Sequence, residues 1–190
     1  MGKIKGFNKY EIRKEITVIF LTDNSNSIIA EAIIDTEDLQ KLIDLNLCFH
    51  ASLKQKNTKN YYCEAIQYKK LLNGNRAKKT IYLHRIILDV ADRKTRVDHI
   101  DHNPLNNKKC NLRKSNASTN STHRNKLNSN NKTGYRNICQ YKNKLIVQMQ
   151  VNGKNKILRS FELDELDEAI LYTELKRKEL YGDFAGENGK

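Results

Sequence analysis

Asp98 and His99 stand side by side, Asn111 follows the histidine by 12 residues, and Asn120 follows that asparagine by 9. A carboxylate and an amide oxygen are hard donors, suited to Mg²⁺. Breaking a phosphodiester by hydrolysis calls for a cation on the scissile phosphate and the leaving oxygen. It also calls for a base that deprotonates the attacking water, and imidazole titrates near neutral pH. The set therefore points toward metal-assisted phosphodiester chemistry. Adjacent residues on a strand point to opposite sides, so a metal-binding Asp98 beside a water-activating His99 requires a local bend.

The elements around these residues follow from pattern. Residues 97–107 read as a strand that ends in a turn built on Asn103-Pro104, and a helix over 116–124 brings Asn120 back to face Asp98. Upstream, residues 15–22 are rich in β-branched side chains and read as a strand, 23–27 as a turn and 28–34 as the returning strand. A short helix opens near Thr36, capped by Asp35 or Thr36. Residues 61–68 and 80–88 read as further strands joined by a loop over 71–79.

Lys and Arg number 35 against 22 Asp and Glu, a formal charge of +13. From His102 to Phe161 there is no acid at all, and that stretch carries 13 basic residues. The remainder is balanced, 22 against 22. A Lys/Asn-rich codon bias would raise lysine everywhere but would not purge acids from one block. A polyanion partner would favour such a block, because each phosphate neutralised releases condensed counterions. No run reaches the roughly 18 apolar residues of a membrane helix, and Met1 to Gly6 lack the apolar stretch of a secretory signal. Cys48, Cys63, Cys110 and Cys139 are scattered without a C-x-x-C, so they read as free thiols in a reducing cytoplasm and no zinc site is expected.

The run Leu83-His84-Arg85, Val97-Asp98-His99-Ile100-Asp101, Asn103-Pro104-Leu105-Asn106-Asn107, Asn111-Leu112-Arg113, Asn120 and Arg124 resembles the HNH endonucleases, above all the phage and intron-encoded homing nucleases in which Asn replaces the last His. The resemblance implies a ββα-metal core with one Mg²⁺ or Mn²⁺ per site, Asp98 and Asn120 as metal ligands and His99 as general base. Asn111 would tie the two-strand loop and hold the base. Arg113 and Arg124 would touch DNA. At His102 such nucleases often carry Gly, in a tight turn with φ above zero. His84 reads as a structural residue of the strand before the motif, His50 as a surface or core residue, and Asp101 as serving the turn.

After a polar linker over 125–133, residues 134–184 form a second module. Residues 135–141 and 144–151 alternate, Asn152-Gly153 marks a two-residue hairpin into 156–161, and 164–181 read as a helix with Leu166, Ala169, Ile170 and Thr173 on one face. Alternation sends Leu145, Val147, Met149 and Val151 toward the helix and Lys144, Ile146, Gln148 and Gln150 away from it. Gly134-Tyr135-Arg136-Asn137-Ile138, the 144–154 stretch and the segment from Phe161 to Ala185 resemble the plant ethylene-response-factor type DNA-binding domain, which is also found appended to HNH homing nucleases. That family lays a three-stranded sheet in the major groove and usually carries Trp where Leu145 stands. The resemblance makes Arg136, Tyr141, Lys144, Gln148, Gln150 and Arg159 the DNA-reading candidates.

The expectation is an α+β chain: a small N-terminal α+β segment over 1–80, an HNH ββα-metal core over 81–124, the linker, and a C-terminal three-stranded antiparallel sheet packed on one helix. It is expected to act as a monomer on double-stranded DNA, away from membranes, in the cytoplasm of a bacterial or phage-infected host cell. Two rivals stand beside the homing endonuclease: a DNA-binding regulator that keeps the nuclease fold without cutting, and an RNA-binding protein.

Overall fold

The structure, a computed structural model, describes residues 6–23, 25–53, 60–70, 74–116, 119, 122–123 and 127–186. The fold is mixed α+β with small antiparallel sheets and few helices. The chain divides into two compact units, residues 1–115 and 116–190, each with its own apolar core.

In the first unit, β1 (Tyr10–Arg13), β2 (Ile16–Thr22) and β3 (Ile28–Asp35) form an antiparallel meander in sequence order. Five consecutive β2 residues, Thr17 to Leu21, are buried, which suits a β-branched strand covered on both faces. The β2–β3 turn closes on Asp23, whose Oδ1 accepts from the backbone N–H groups of Ser25 and Ser27. A 3₁₀ turn (Thr36–Asp38) runs into α1 (Leu39–Asp44). Neither expected cap forms: Asp35 Oδ2 accepts from the Lys109 backbone N–H at 2.7 Å, and Thr36 Oγ1 meets the Lys14 carbonyl at 3.1 Å. Both side chains are committed to tertiary contacts.

A second meander joins β4 (Phe49–Leu53), β5 (Tyr61–Lys70) and β6 (Arg76–Tyr82). The strand expected over 80–88 stops at Tyr82, and α2 (Leu83–Ile87) takes over. Leu83 and Ile87, four apart, are both buried; in five residues that spacing was too short to read as a helix. Strands β1 and β4 were not anticipated. They are only four and five residues long, too short for a period to stand out, and buried Asn8 supplies part of the tie. Its Nδ2 donates to the Phe20 and Phe49 carbonyls, and its Oδ1 accepts from the Phe49 N–H at 2.7 Å. Ile19, Ile34, Leu42, Phe49, Leu83 and Leu112 share one core, so residues on both sides of position 80 fold together. Strands β7 (Arg96–His99) and β8 (Leu112–Ser115) form a two-stranded antiparallel ribbon in the same unit.

In the second unit, β9 (Ile138–Tyr141), β10 (Lys144–Val151) and β11 (Lys154–Glu162) make an antiparallel sheet with β10 central, followed by α3 (Leu166–Tyr181). The β10–β11 turn places Asn152 at φ 52° and Gly153 at φ 76°, the left-handed pair a two-residue hairpin of this twist requires. Leu145, Val147 and Met149 are buried in one cluster with Phe161 and Ala169, as the alternation implies. Part of the segment read as a linker is tied into this unit: Asn131 Oδ1 accepts from the Gly134 N–H, and Thr133 Oγ1 donates to the Ile138 carbonyl. Within the segment 116–124, Thr119 and Thr122 are helical, Asn116 is not and His123 is in a turn, whereas Asn120 and Arg124 lie outside the described residues. No helix among the described residues is long and apolar enough to cross a membrane.

Leu42 is fully buried where α1 meets the sheets, and Leu171 is 62% exposed on α3. Leu42→Ala is expected to lower unfolding stability by about 2–5 kcal/mol, and Leu171→Ala by no more than about 0.5 kcal/mol, both read from urea denaturation of the full chain.

Candidate functional site

The ribbon of β7 and β8 carries the motif residues. Asp98 pairs with Arg113 and His99 with Leu112, and the ladder continues as the Ile100 N–H donates to the Asn111 carbonyl at 2.9 Å. The strand is thus regular through the pair and sends Asp98 and His99 to opposite sides. The bend that the sequence reading called for at this point is not there, because unbroken pairing with β8 holds the strand straight.

Both side chains are buried. On one side, Arg113 donates from Nε at 2.9 Å and lies at 2.7 Å through Nη2, both to Asp98 Oδ2. Cross-strand neighbours sit on one face, so the pairing follows from register. Arg113, expected on DNA, is therefore committed at least in part to Asp98. On the other side, the His99 and His84 rings meet edge to face, with centroids 5.2 Å apart and planes at 87°. His84 in turn stacks on Tyr82 at 5.4 Å. It belongs to α2 and not to the strand expected there. His99 Nε2 lies 3.3 Å from Asn107 Oδ1. Burial pushes the His99 pKa below its ordinary value, outweighing Asn107, Asp101 and Asp98, which pull the other way.

The loop between the strands is held by amides. Asn111 Oδ1 accepts from the Asp101 N–H at 3.0 Å, and its Nδ2 donates to Asp101 Oδ1 and to the Asn106 carbonyl, both at 2.8 Å. Asp101 also accepts from the Asn103 N–H and from Asn106 Nδ2. Burial pushes its carboxyl up, yet the bonds from Asn106, Asn103 and Asn111 together hold it below the usual range. His102 sits at φ 59°, in the left-handed region expected at this turn position; His is among the residues that adopt it more readily than most. Asn111 thus ties the loop. Asp101, read from the sequence as serving the turn, is the pivot of the loop. One contributor was missed: Asn107 is the group touching His99. The signal was present in four asparagines, at 103, 106, 107 and 111, crowding one turn, since carboxamides satisfy turn backbone from either end.

This loop is also fastened to the first sheet. The Ile33 N–H donates to the Leu105 carbonyl at 2.8 Å, and the Asn107 N–H donates to the Ile33 carbonyl at 2.7 Å. Lys109 Nζ reaches Glu37 at 2.6 Å and Asp38 at 2.9 Å.

As a cation site, Asp98 offers a hard carboxylate drawn largely out of water, which fits Mg²⁺ or Mn²⁺ in donor type. Its expected co-ligand, Asn120, lies outside the described residues. Among the described residues, no three His, Cys, Asp or Glu side chains gather closely enough to hold an ion.

In the second unit, Gln148, Gln150 and Arg136 line one cleft of about 810 Å³, together with Asn128, Lys132 and Asn155. Tyr141 is 65% exposed and pairs across strands with Lys144, whose Nζ meets Glu162 at 3.0 Å. Arg136 Nη2 donates to the Thr122 carbonyl at 2.8 Å. Arg159 does not join them. It lies two residues before Phe161 on the same strand, hence on the helix side, with its guanidinium 4.7 Å above the Phe161 ring and 5.5 Å from that of Tyr172. Arg177 of α3, absent from the sequence reading, is 1% exposed, and burial lowers its pKa against the opposing pull of Tyr181. Its Nη1 donates to Asn137 Oδ1 at 2.6 Å, and Asn137 Nδ2 donates to the Gln148 carbonyl at 2.9 Å. A buried helix residue thereby fixes the strand that carries Gln148.

No family model matches the chain, and no solved structure matches it. An uncharacterized HNH endonuclease of Acanthamoeba polyphaga mimivirus is 39% identical over 92 residues, which is 48% of this chain and 46% of that protein. The chain thus spans about half the length of the relative it matches.

Burial brings the His84 pKa down to about 3 from an ordinary 6.5, with His99 and Arg85 adding to the effect. The unfolded state then binds the proton first, so this contribution to stability is present above pH 6.5 and is lost as pH falls toward 3. Unfolding midpoints measured across that window are expected to fall with acid, and to fall less steeply in His84→Phe.

Proposed function

We propose that this chain is a divalent-metal-dependent DNA endonuclease of the HNH type, and that it acts as a homing nuclease. The observation that carries the reading is the β7–β8 ribbon, where an amide-locked loop holds a buried imidazole of lowered pKa next in sequence to a buried, ion-paired carboxylate. The similarity to a protein named as an HNH endonuclease supports it. So does the acid-free block, which suits a phosphate backbone.

Asp98, with Asn120, would hold the ion. A bound hard cation supplies charge neutralisation at the scissile phosphate and the leaving oxygen. His99, kept neutral by burial, accepts a proton from water, whose oxygen bonds to phosphorus as the bond to the leaving oxygen breaks. Because Asp98 and His99 leave opposite sides of β7, the phosphate must lie across the strand's outer edge, within reach of both. Arg113 orients Asp98, and Asn111 keeps the loop closed behind His99. The sheet of β9–β11 supplies site choice, with Gln148 and Gln150 suited to adenine edges and Arg136 to guanine or phosphate.

A non-cleaving DNA-binding regulator is the second reading, and the hold of Arg113 on Asp98 favours it, since a guanidinium competes with a cation for the same carboxylate.

Supercoiled plasmid carrying a cognate site, recovered by selection from a random duplex library, is expected to become nicked or linear with Mg²⁺. His99→Ala should stop this while gel-shift binding persists. Wild-type protein that binds but leaves plasmid intact with Mg²⁺ and with Mn²⁺ would hand the case to the regulator. The unit of residues 116–190, which has its own core, should shift duplex DNA alone, with log K falling against log salt by about 0.9 for each phosphate contacted. A salt-independent shift, or none, would rule out its role as a DNA reader.

A further inference from the structure

Asn107 is fully buried, and its amide has a defined orientation. Its Nδ2 donates to the Leu105 carbonyl at 3.0 Å and lies 3.5 Å from the Pro104 carbonyl. Turning the amide over would press its oxygen against those two carbonyl oxygens and leave buried acceptors without a donor, a costly exchange. Oδ1 is therefore the atom that faces His99 Nε2 at 3.3 Å. An amide oxygen only accepts, so the imidazole nitrogen opposite it must carry the proton.

Asn107 is itself held from outside the motif. Its backbone N–H donates to the Ile33 carbonyl, and the Leu105 carbonyl that receives its side chain also receives the Ile33 N–H. Strand β3 thus grips both sides of the residue. The His84 ring packs against the same His99 ring.

We propose that Asn107 is a positioning residue that fixes His99 as the Nε2–H tautomer, with the β1–β3 sheet as the frame that holds Asn107. The lone pair then sits on Nδ1, which becomes the nitrogen available to take a proton from water. This gives residues 1–80 a part in the chemistry: they set which ring nitrogen is the base. The catalytic half of the inference rests on the endonuclease reading, whereas the tautomer does not.

The test uses full-length, metal-free protein labelled with ¹⁵N at histidine, with His99 assigned by comparison with His99→Gln. At a pH where the ring is neutral, wild type should show a proton on His99 Nε2 that is protected from exchange and close to the Asn107 side chain. Asn107→Leu, of similar size but without an acceptor, should lose that protected proton. It should also cut Mg²⁺-dependent plasmid cleavage by about 10–100-fold in kcat, as outer partners of an active-site histidine do, with little change in KM. A proton found on Nδ1 in wild type, no protected Nε2 proton, or a protected proton that survives Asn107→Leu would each overturn the proposal. The wild-type spectrum decides even where the variant fails to fold. It also separates the two claims: a fixed tautomer in a protein that never cuts would sink the endonuclease reading alone.

Discussion

The backbone pairing of Ile33 with Leu105 and Asn107 is the constraint on which the first unit depends. Two hydrogen bonds tie a strand near the start of the chain to a loop more than seventy residues later. Everything chemical in this unit lies within or beside that loop. Lys109, through its backbone on Asp35 and its ammonium on Glu37 and Asp38, fastens the far end of the same loop to the end of β3 and the 3₁₀ turn that follows it. The ribbon that carries Asp98 and His99 is only two strands wide, and an isolated hairpin is marginal in water. Its rigidity is borrowed from the sheet behind it. His99 sits on the ribbon, and the longer meander is what holds the loop beside its ring.

The sequence was legible where the chain's pattern is local. Strands β2 and β3 carry dense β-branched residues, and their expected bounds agree with the structure to within a residue or two. Alternation along β10 separated the helix-facing Leu145, Val147 and Met149 from the outward Gln148 and Gln150. What was illegible depends on partners far along the chain. Asp35 and Thr36 look like helix caps until Lys109 and Lys14 claim them. The α2 helix is one turn long, and its two buried residues are too few to show a period. At the site, spacing identified Asp98, His99 and Asn111 as a group, and the structure brings all three onto one ribbon and its loop. It could not foresee that pairing across β8 would keep β7 straight, or that Asn107 would be the neighbour of His99.

Charge read from composition describes a field, not a contact list. The stretch without acids holds Arg113, Arg136 and Arg159, and each has an internal engagement: a carboxylate of β7, the Thr122 carbonyl, and two aromatic rings. Their charges still add to the local potential, because the positive field reaches roughly a Debye length of about 8–10 Å through salt solution. Arg177 adds another, bound by neutral oxygens of Asn137 and Thr122. A surface can therefore carry a positive field partly through cations whose own groups are engaged inside the fold.

Strand β11 slips by one residue between its pairing of Arg159 with Val147 and of Ile157 with Gln148. Leu158 is the supernumerary residue, and it packs inward with the helix cluster. The irregularity divides the strand into two segments whose inside and outside are set separately, one on each side of the slip. Deleting Leu158 would leave Arg159 opposite Val147 and Ile157 opposite Gln148, an unbroken ladder with the same side chains facing out. What the extra residue adds is therefore curvature and one apolar contact under α3, with the facing of both flanking segments untouched.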